Sequence, residues 1–164
     1  MSFIKEMLQY AIIIGIVILI RVFVITPVKV DGDSMNPTLV DGEVVMLNKI
    51  SKNYERFDVV VVNYANTKLI KRIIGLPGEH IKFINNKLYI NNKLVHDVKL
   101  DTKTSNFDIK QINYDVIPED SYFVVGDNRA NSTDSRIIGP IKKSDVVGKA
   151  SIIIFPFNKF GKVE

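Results

Sequence analysis

A mainly β domain behind one apolar N-terminal helix is the fold class this sequence predicts, and three observations predict it. Residues 7–25 read MLQYAIIIGIVILIRVFVI, a nearly unbroken apolar run. After Pro27 the helical pattern gives way to short runs rich in Val, Ile, Phe and Tyr, with turn residues between them. Two Asn-Asn pairs, Asn85-Asn86 and Asn91-Asn92, divide such runs as two-residue hairpin turns do, because these turns require φ > 0.

The first element justifies itself by length and by transfer energy. As a helix, residues 7–25 rise about 28 Å, close to the roughly 30 Å hydrocarbon core of a bilayer. Twelve of the residues from 11 to 25 are Ile, Leu, Val or Phe, each favouring insertion by about 0.3–0.6 kcal/mol, which outweighs Arg21 near one end, where it can snorkel. No alanine occurs between Arg21 and Tyr64, and RVFVITPVKV, residues 21–30, offers no small-x-small pair, so the segment is expected to stay on as an anchor. Lys5 lies on one side and Arg21 and Lys29 toward the other, so charge leaves the orientation open. Taking residues 1–26 as a short stub and anchor leaves residues 27–164, a size that suits one domain.

Strands are expected at 28–30, 43–48, 58–64, 69–74, 80–84, 87–90, 93–95, 122–125 and 149–155, with a polar loop at 101–108. Composition narrows the function. The net charge is +4, and the basic pairs Lys71-Arg72 and Lys142-Lys143 are short, so nucleic acid is not an expected partner. There is no cysteine and there are only two histidines, His80 and His96, which removes thiol chemistry and any convincing metal cluster. No metal or cofactor is expected.

Three stretches carry candidate chemistry. VDGDSMNPTL puts Ser34 in a short acidic turn just beyond the apolar run, although a Gly-Asp-Ser triplet alone also makes an ordinary turn. Serine needs a base beside it, and without a persuasive histidine the search turns to lysine. In KLIKRIIG, strand alternation sets Lys71 between Leu69 and Ile73 on one face. A lysine held among aliphatics loses hydration of its charged form, and reaching a pKa of about 8 takes roughly 3 kcal/mol. An edge-strand lysine that blocks aggregation would show the same pattern. GDNRANSTDSR, residues 126–136, packs acids, amides, arginines and serines behind the apolar SYFVV run, as a salt-bridged loop also would.

Together the three stretches resemble those of the bacterial type I signal peptidases, membrane-anchored serine–lysine proteases that remove signal peptides from exported proteins. The resemblance covers nearly the whole chain: the anchor, GDSMNPTL, KRIIGLPGE, GDNRANSTDSR and a late VVGKASIIIFP strand. It implies two packed antiparallel β-sheets, an architecture shared with self-cleaving repressors of the LexA type, and the compact single-anchor Gram-positive kind of enzyme. It implies Ser34 as nucleophile, Lys71 as general base and Ser132 as the hydroxyl that orients the lysine. Arg72, Asp127, Asp134 and Arg136 become a charged scaffold, with Arg72 near Asp127. Val28, Val30, Asp31, Met35, Leu39, Leu69 and Ile70 become the walls and subsites for an extended peptide with small residues at an A-x-A site. Where some Gram-negative relatives carry an oxyanion serine, this chain has Gly32; the Ser34 amide is the expected oxyanion donor, and the Gly32 amide is the candidate for the second, a choice the sequence leaves open.

The resemblance also implies a monomer whose partners are the lipid bilayer and the signal peptides of secreted preproteins, with its N-terminus in the cytoplasm and its catalytic domain outside. Two other readings stand beside this one. A self-cleaving repressor is disfavoured by the anchor and by the lack of a DNA-binding region. A tethered β domain that only binds extended peptides is disfavoured by the joint presence of Ser34, Lys71 and Ser132.

Overall fold

The computed structural model describes residues 2–96 and 103–163. Helix α1, Ser2–Phe23, is long and apolar enough to cross a membrane, and none of its apolar stretch is buried against the rest of the protein. It starts earlier than the hydrophobic run and ends two residues sooner than expected, because Ile25 already pairs with Asn48 as strand. The carbonyls of the last turn, which lack helical partners, are taken up by the body of the protein. Thr26 Oγ1 donates to the Arg21 carbonyl at 2.8 Å, and Lys49 Nζ donates to that of Val22 at 3.1 Å.

The body is β. In chain order come β1 Ile25–Lys29, β2 Val44–Asn48, β3 Val59–Tyr64 and β4 Thr67–Gly75. They are followed by β5 Ile81–Ile84, β6 Lys87–Ile90, β7 Lys93–Val95 and β8 Phe107–Asp108. The last are β9 Ser121–Val125, β10 Ile141–Lys142, β11 Val146–Phe155 and β12 Gly161–Lys162, with a one-turn helix α2, Ser135–Ile138, between β9 and β10. An eight-stranded antiparallel sheet runs β1-β2-β11-β3-β4-β9-β10, with β12 against β11, and a four-stranded sheet runs β7-β6-β5-β8. The two-sheet, mainly β fold expected from the sequence is what the chain adopts.

Why the elements form is visible in their packing. The β5–β6 and β6–β7 hairpins turn on Asn85-Asn86 and Asn91-Asn92, all four at positive φ as two-residue turns require. The large sheet is covered on both faces. One cluster gathers Val45, Leu47, Val59, Val61, Ile70 and Ile153 with Met35 and Leu39 of the Ser34 turn. A second packs Ile74, Phe123 and Val125 against Ile81, Phe83 and Leu88 of the small sheet. A third collects Val60, Val62, Ile73 and Val124 with Tyr54 and Tyr122. Double coverage explains why β3 reads as an unbroken apolar run rather than an alternating one.

Several elements depart from expectation. β1 lies at Ile25–Lys29 rather than 28–30, so Val30 is past the strand end. Of the polar loop expected at 101–108, residues 101 and 102 lie outside the described residues, while Phe107–Asp108 is strand β8, paired with β5. Phe107 is drawn there by burial against Phe123, with ring centroids 5.6 Å apart. The short elements β10, β12 and α2 were not foreseen, since two to four residues carry too little periodicity to read.

Candidate active site

Strand β4 is an interior strand along only part of its length. Against β3 it pairs from Thr67 to Arg72, but against β9 only Arg72, Ile73 and Gly75 have partners. Residues 69–71 therefore face β9's side with their backbone edge open, and Lys71 sits at the seam where pairing stops. It is no solvent-exposed edge lysine: its relative exposure is 2%. Its Nζ lies 2.6 Å from Ser34 Oγ and donates to the Ile70 carbonyl at 3.0 Å. Burial lowers the Lys71 pKa to about 8 from its ordinary 10.5, against the carboxylates of Asp134 and Asp127, which raise it.

Ser34 is presented by the loop between β1 and β2, and the neck of that loop is tied several times. Val30 N–H donates to the Glu43 carbonyl and Gly42 N–H to the Val30 carbonyl, at 2.8 and 3.1 Å. The buried Glu43 carboxylate accepts from Val40 N–H at 3.1 Å and from Lys159 Nζ at 2.7 Å. Met35 and Leu39 anchor the loop by burial. Asn36 N–H donates to the Asp33 carbonyl, closing a turn with Ser34 and Met35 at its centre.

The third stretch supplies the charged frame. Arg72 grips Asp127 with two bonds, Nε to Oδ1 at 2.8 Å and Nη2 to Oδ2 at 2.7 Å, both side chains being almost fully buried. Arg72 Nη1 also donates to the Phe57 carbonyl at 2.7 Å. Asp134 is fully buried, receives Arg136 Nε and Nη2 at 2.8 Å each, and accepts Gly126 N–H at 3.0 Å. The charged scaffold expected of Arg72, Asp127, Asp134 and Arg136 is thus two ion pairs, with Arg72 on Asp127 as anticipated. Gly126 is required by contact: a Cβ there would run into both the Ser132 side chain and the Ser34 carbonyl.

A groove of about 70 Å³ opens beside Ser34, lined by Val28, Val30, Asp31, Gly32, Met35, Leu69, Ile70 and Lys71 among others. Every expected wall residue is there except Leu39, which is completely buried in the core and does not line this groove. Two further expectations need correction. Gly32 N–H donates to Asp41 Oδ1 at 2.8 Å, so that amide is already satisfied and is not an open oxyanion donor. Ser132 Oγ is buried against Gly126 without a hydrogen-bond partner, so the expected Ser132–Lys71 bond is not formed and the Ile70 carbonyl holds the amine instead.

Sequence reasoning passed over Asn128, whose main-chain N–H donates to the Ser34 carbonyl at 3.0 Å and whose Nδ2 donates to the Asp33 carbonyl at 3.1 Å. It also passed over Arg129, buried with its guanidinium 5.5 Å from the centre of the Phe83 ring and its Nε on the Gly126 carbonyl. Both stand inside GDNRANSTDSR, and the density of polar groups there was the available signal.

Comparison with known proteins identifies the family. Residues 3–155 match the family described as signal peptidase, peptidase S26. Signal peptidase I of Bacillus amyloliquefaciens is 40% identical, the match covering 94% of this chain and 90% of that one. Signal peptidase IB of Staphylococcus aureus is 36% identical, over 95% and 93% of the two chains. The crystal structure of a signal peptidase I from Enterococcus faecalis superposes with a TM-score of 0.57 at 31% identity, covering 60% of this chain and 97% of that one. The chain belongs to the signal peptidase family, peptidase S26, a family of serine endopeptidases that remove signal peptides.

Proposed function

We propose that this chain removes N-terminal signal peptides from exported preproteins by a Ser34/Lys71 dyad acting through an acyl-enzyme. The observation that carries the reading is the 2.6 Å approach of a buried lysine to a serine hydroxyl, in a site where burial holds the amine near pKa 8. With Lys71 neutral, its lone pair accepts the Ser34 proton as Oγ attacks the scissile carbonyl. The Ser34 N–H stabilises the tetrahedral oxyanion; the protonated amine then returns its proton to the leaving nitrogen, and the peptide bond breaks. A water, deprotonated by the same amine, releases the acyl group. Once Ser34 Oγ is esterified the lysine loses that partner and keeps its bond to the Ile70 carbonyl.

Substrate choice follows from shape. The groove is far smaller than the roughly 300 Å³ at which small-molecule pockets begin, and Val30, Ile70 and Met35, all nearly buried, form its floor. It suits methyl-sized side chains, as at the two alanines of an A-x-A site, on a peptide that adds as a strand to the open edge of residues 69–71. The apolar helix and the relatives support a membrane-anchored enzyme. We further propose residues 1–26 as stub and anchor with the N-terminus in the cytoplasm, and residues 27–164 as a monomeric catalytic domain outside. Anchoring in the substrate's own bilayer raises the effective concentration of its cleavage site without new contacts.

The test is cleavage of a preprotein carrying an A-x-A site by the detergent-solubilised full chain, beside Ser34→Ala and Lys71→Ala. Cutting after the second alanine by the wild type, with both variants silent, is the expected result. A Lys71→Ala protein that cuts at the wild-type rate removes the lysine from the mechanism.

A further inference from the structure

Building on the dyad reading, we propose that Asn128 is a positioning residue that keeps the Ser34 N–H aimed at the oxyanion. A trans peptide is planar, with its C=O and N–H pointing in opposite directions, so whatever fixes the carbonyl also fixes the amide of the next residue. The Ser34 N–H shares its peptide with the Asp33 carbonyl, and that carbonyl accepts from Asn128 Nδ2 at 3.1 Å. The following peptide carries the Ser34 carbonyl, which accepts from the Asn128 main-chain N–H at 3.0 Å. One residue, 94 positions further along the chain, therefore grips both peptides that flank the nucleophile, one with its side chain and one with its backbone.

The turn needs such a grip. Type I and type II turns differ by a flip of the central peptide, which here is the one carrying the Ser34 carbonyl. Gly32, Asp33, Asn36 and Pro37 are exposed. Within the turn only the Asn36 N–H to Asp33 carbonyl bond, at 3.1 Å, restrains the other peptide. Asn128 is itself rigidly based: it follows Asp127, which Arg72 holds by two bonds, and Arg72 follows Lys71 on β4. The strand that delivers the base thus also sets the clamp on the nucleophile's backbone. Since the Gly32 amide is engaged by Asp41, the Ser34 N–H has no help from that position, and its orientation carries the more weight.

The test compares Asn128→Asp, which keeps the side-chain shape but has no Nδ2 donor, with Asn128→Ala in the full-length detergent-solubilised protein. Three quantities are read: kcat and KM on an A-x-A preprotein, the Kd of a peptide boronic acid ending in alanine, and the Kd of the matching uncleavable peptide amide. The boronate becomes tetrahedral on Ser34 and places an oxygen in the hole, whereas the amide binds only as ground state. Expected for both variants is a loss of about 10-fold to 100-fold in kcat, below the loss from deleting an oxyanion donor outright, with KM within about twofold. The boronate weakens by the same factor and the amide does not, while in Asn128→Ala the pH midpoint of kcat stays where the wild type has it. Unchanged kcat in both variants, or equal weakening of boronate and amide, overturns the proposal. A wild type that neither cleaves nor binds the boronate overturns the dyad reading, and the assignment of Asn128 falls with it.

Discussion

The pH dependence of cleavage is the most direct consequence of the way Lys71 is held. Its pKa is lowered to about 8 by burial, and a lysine base works only in the neutral form. At that pKa the neutral fraction is about 9% at pH 7 and about 91% at pH 9, a tenfold rise that levels off; at the ordinary lysine value it would be about 0.03% at pH 7 and would climb a hundredfold with no plateau. The assay is kcat/KM for an A-x-A preprotein from pH 6 to 10 in detergent, with stability checked at each pH. The expected curve rises with unit slope and reaches half its maximum near pH 8. A rise of about a hundredfold between pH 7 and 9, without a plateau, would mean that burial does not depress the amine, and a flat profile would mean that no group of this kind is the base.

Replacing Lys71 should move stability in the opposite sense to activity. The unfolded chain holds the lysine proton up to about 10.5 and the folded chain only to about 8, so the wild type gains stability as pH rises through that window. Below it the penalty is about 3 kcal/mol, so Lys71→Met should be inactive yet more stable at pH 7 by up to that amount, an advantage that fades by pH 10.5 in urea titrations. Asp127→Asn should cost about 3–5 kcal/mol by leaving the buried Arg72 guanidinium without its charge partner. Gly126→Ala should lower kcat at least tenfold, because the added methyl meets the Ser34 carbonyl and the Ser132 side chain. Lys159→Met should cost about 1 kcal/mol, since Lys159 is half exposed but its partner Glu43 is buried; thermal melts of Lys159→Met in the Glu43→Gln background should recover part of that loss.

What could be read from the residues divides by the range of the interaction. Hairpins announced by Asn-Asn pairs were legible because the signal lies within two residues of the effect. The approach of a buried Lys71 to Ser34 was legible only from the three motifs taken together, since aliphatic neighbours on β4 suit an edge-strand lysine equally well. Three features were not. Gly32 was expected to offer its amide, but Asp41, nine residues on, claims it through the fold of the loop. Leu39 was expected in the groove, yet nothing in PTL says whether a leucine faces the cleft or the core below. Asn128 reaches back 94 residues, and only the packing of the third stretch against the Ser34 turn puts its two N–H groups on successive carbonyls. Side-chain roles that depend on a long loop closure leave little trace in local pattern.

The open half of β4 connects these points. From Arg72 to Gly75 the strand is paired with β9 and carries the buried ion pair to Asp127, so it is stiff; from Leu69 to Lys71 no strand pairs with it on the β9 side among the described residues. A peptide that pairs there would fill the vacant hydrogen-bonding edge and shut water away from the amine, which deepens the very burial that lowers its pKa. The consequence is measurable: the midpoint of kcat, which reports the complex, should lie below the midpoint of kcat/KM, which reports the free enzyme. Coincident midpoints would mean that the bound peptide leaves the lysine as wet as before, and that it runs along the β1 wall rather than along the edge of β4.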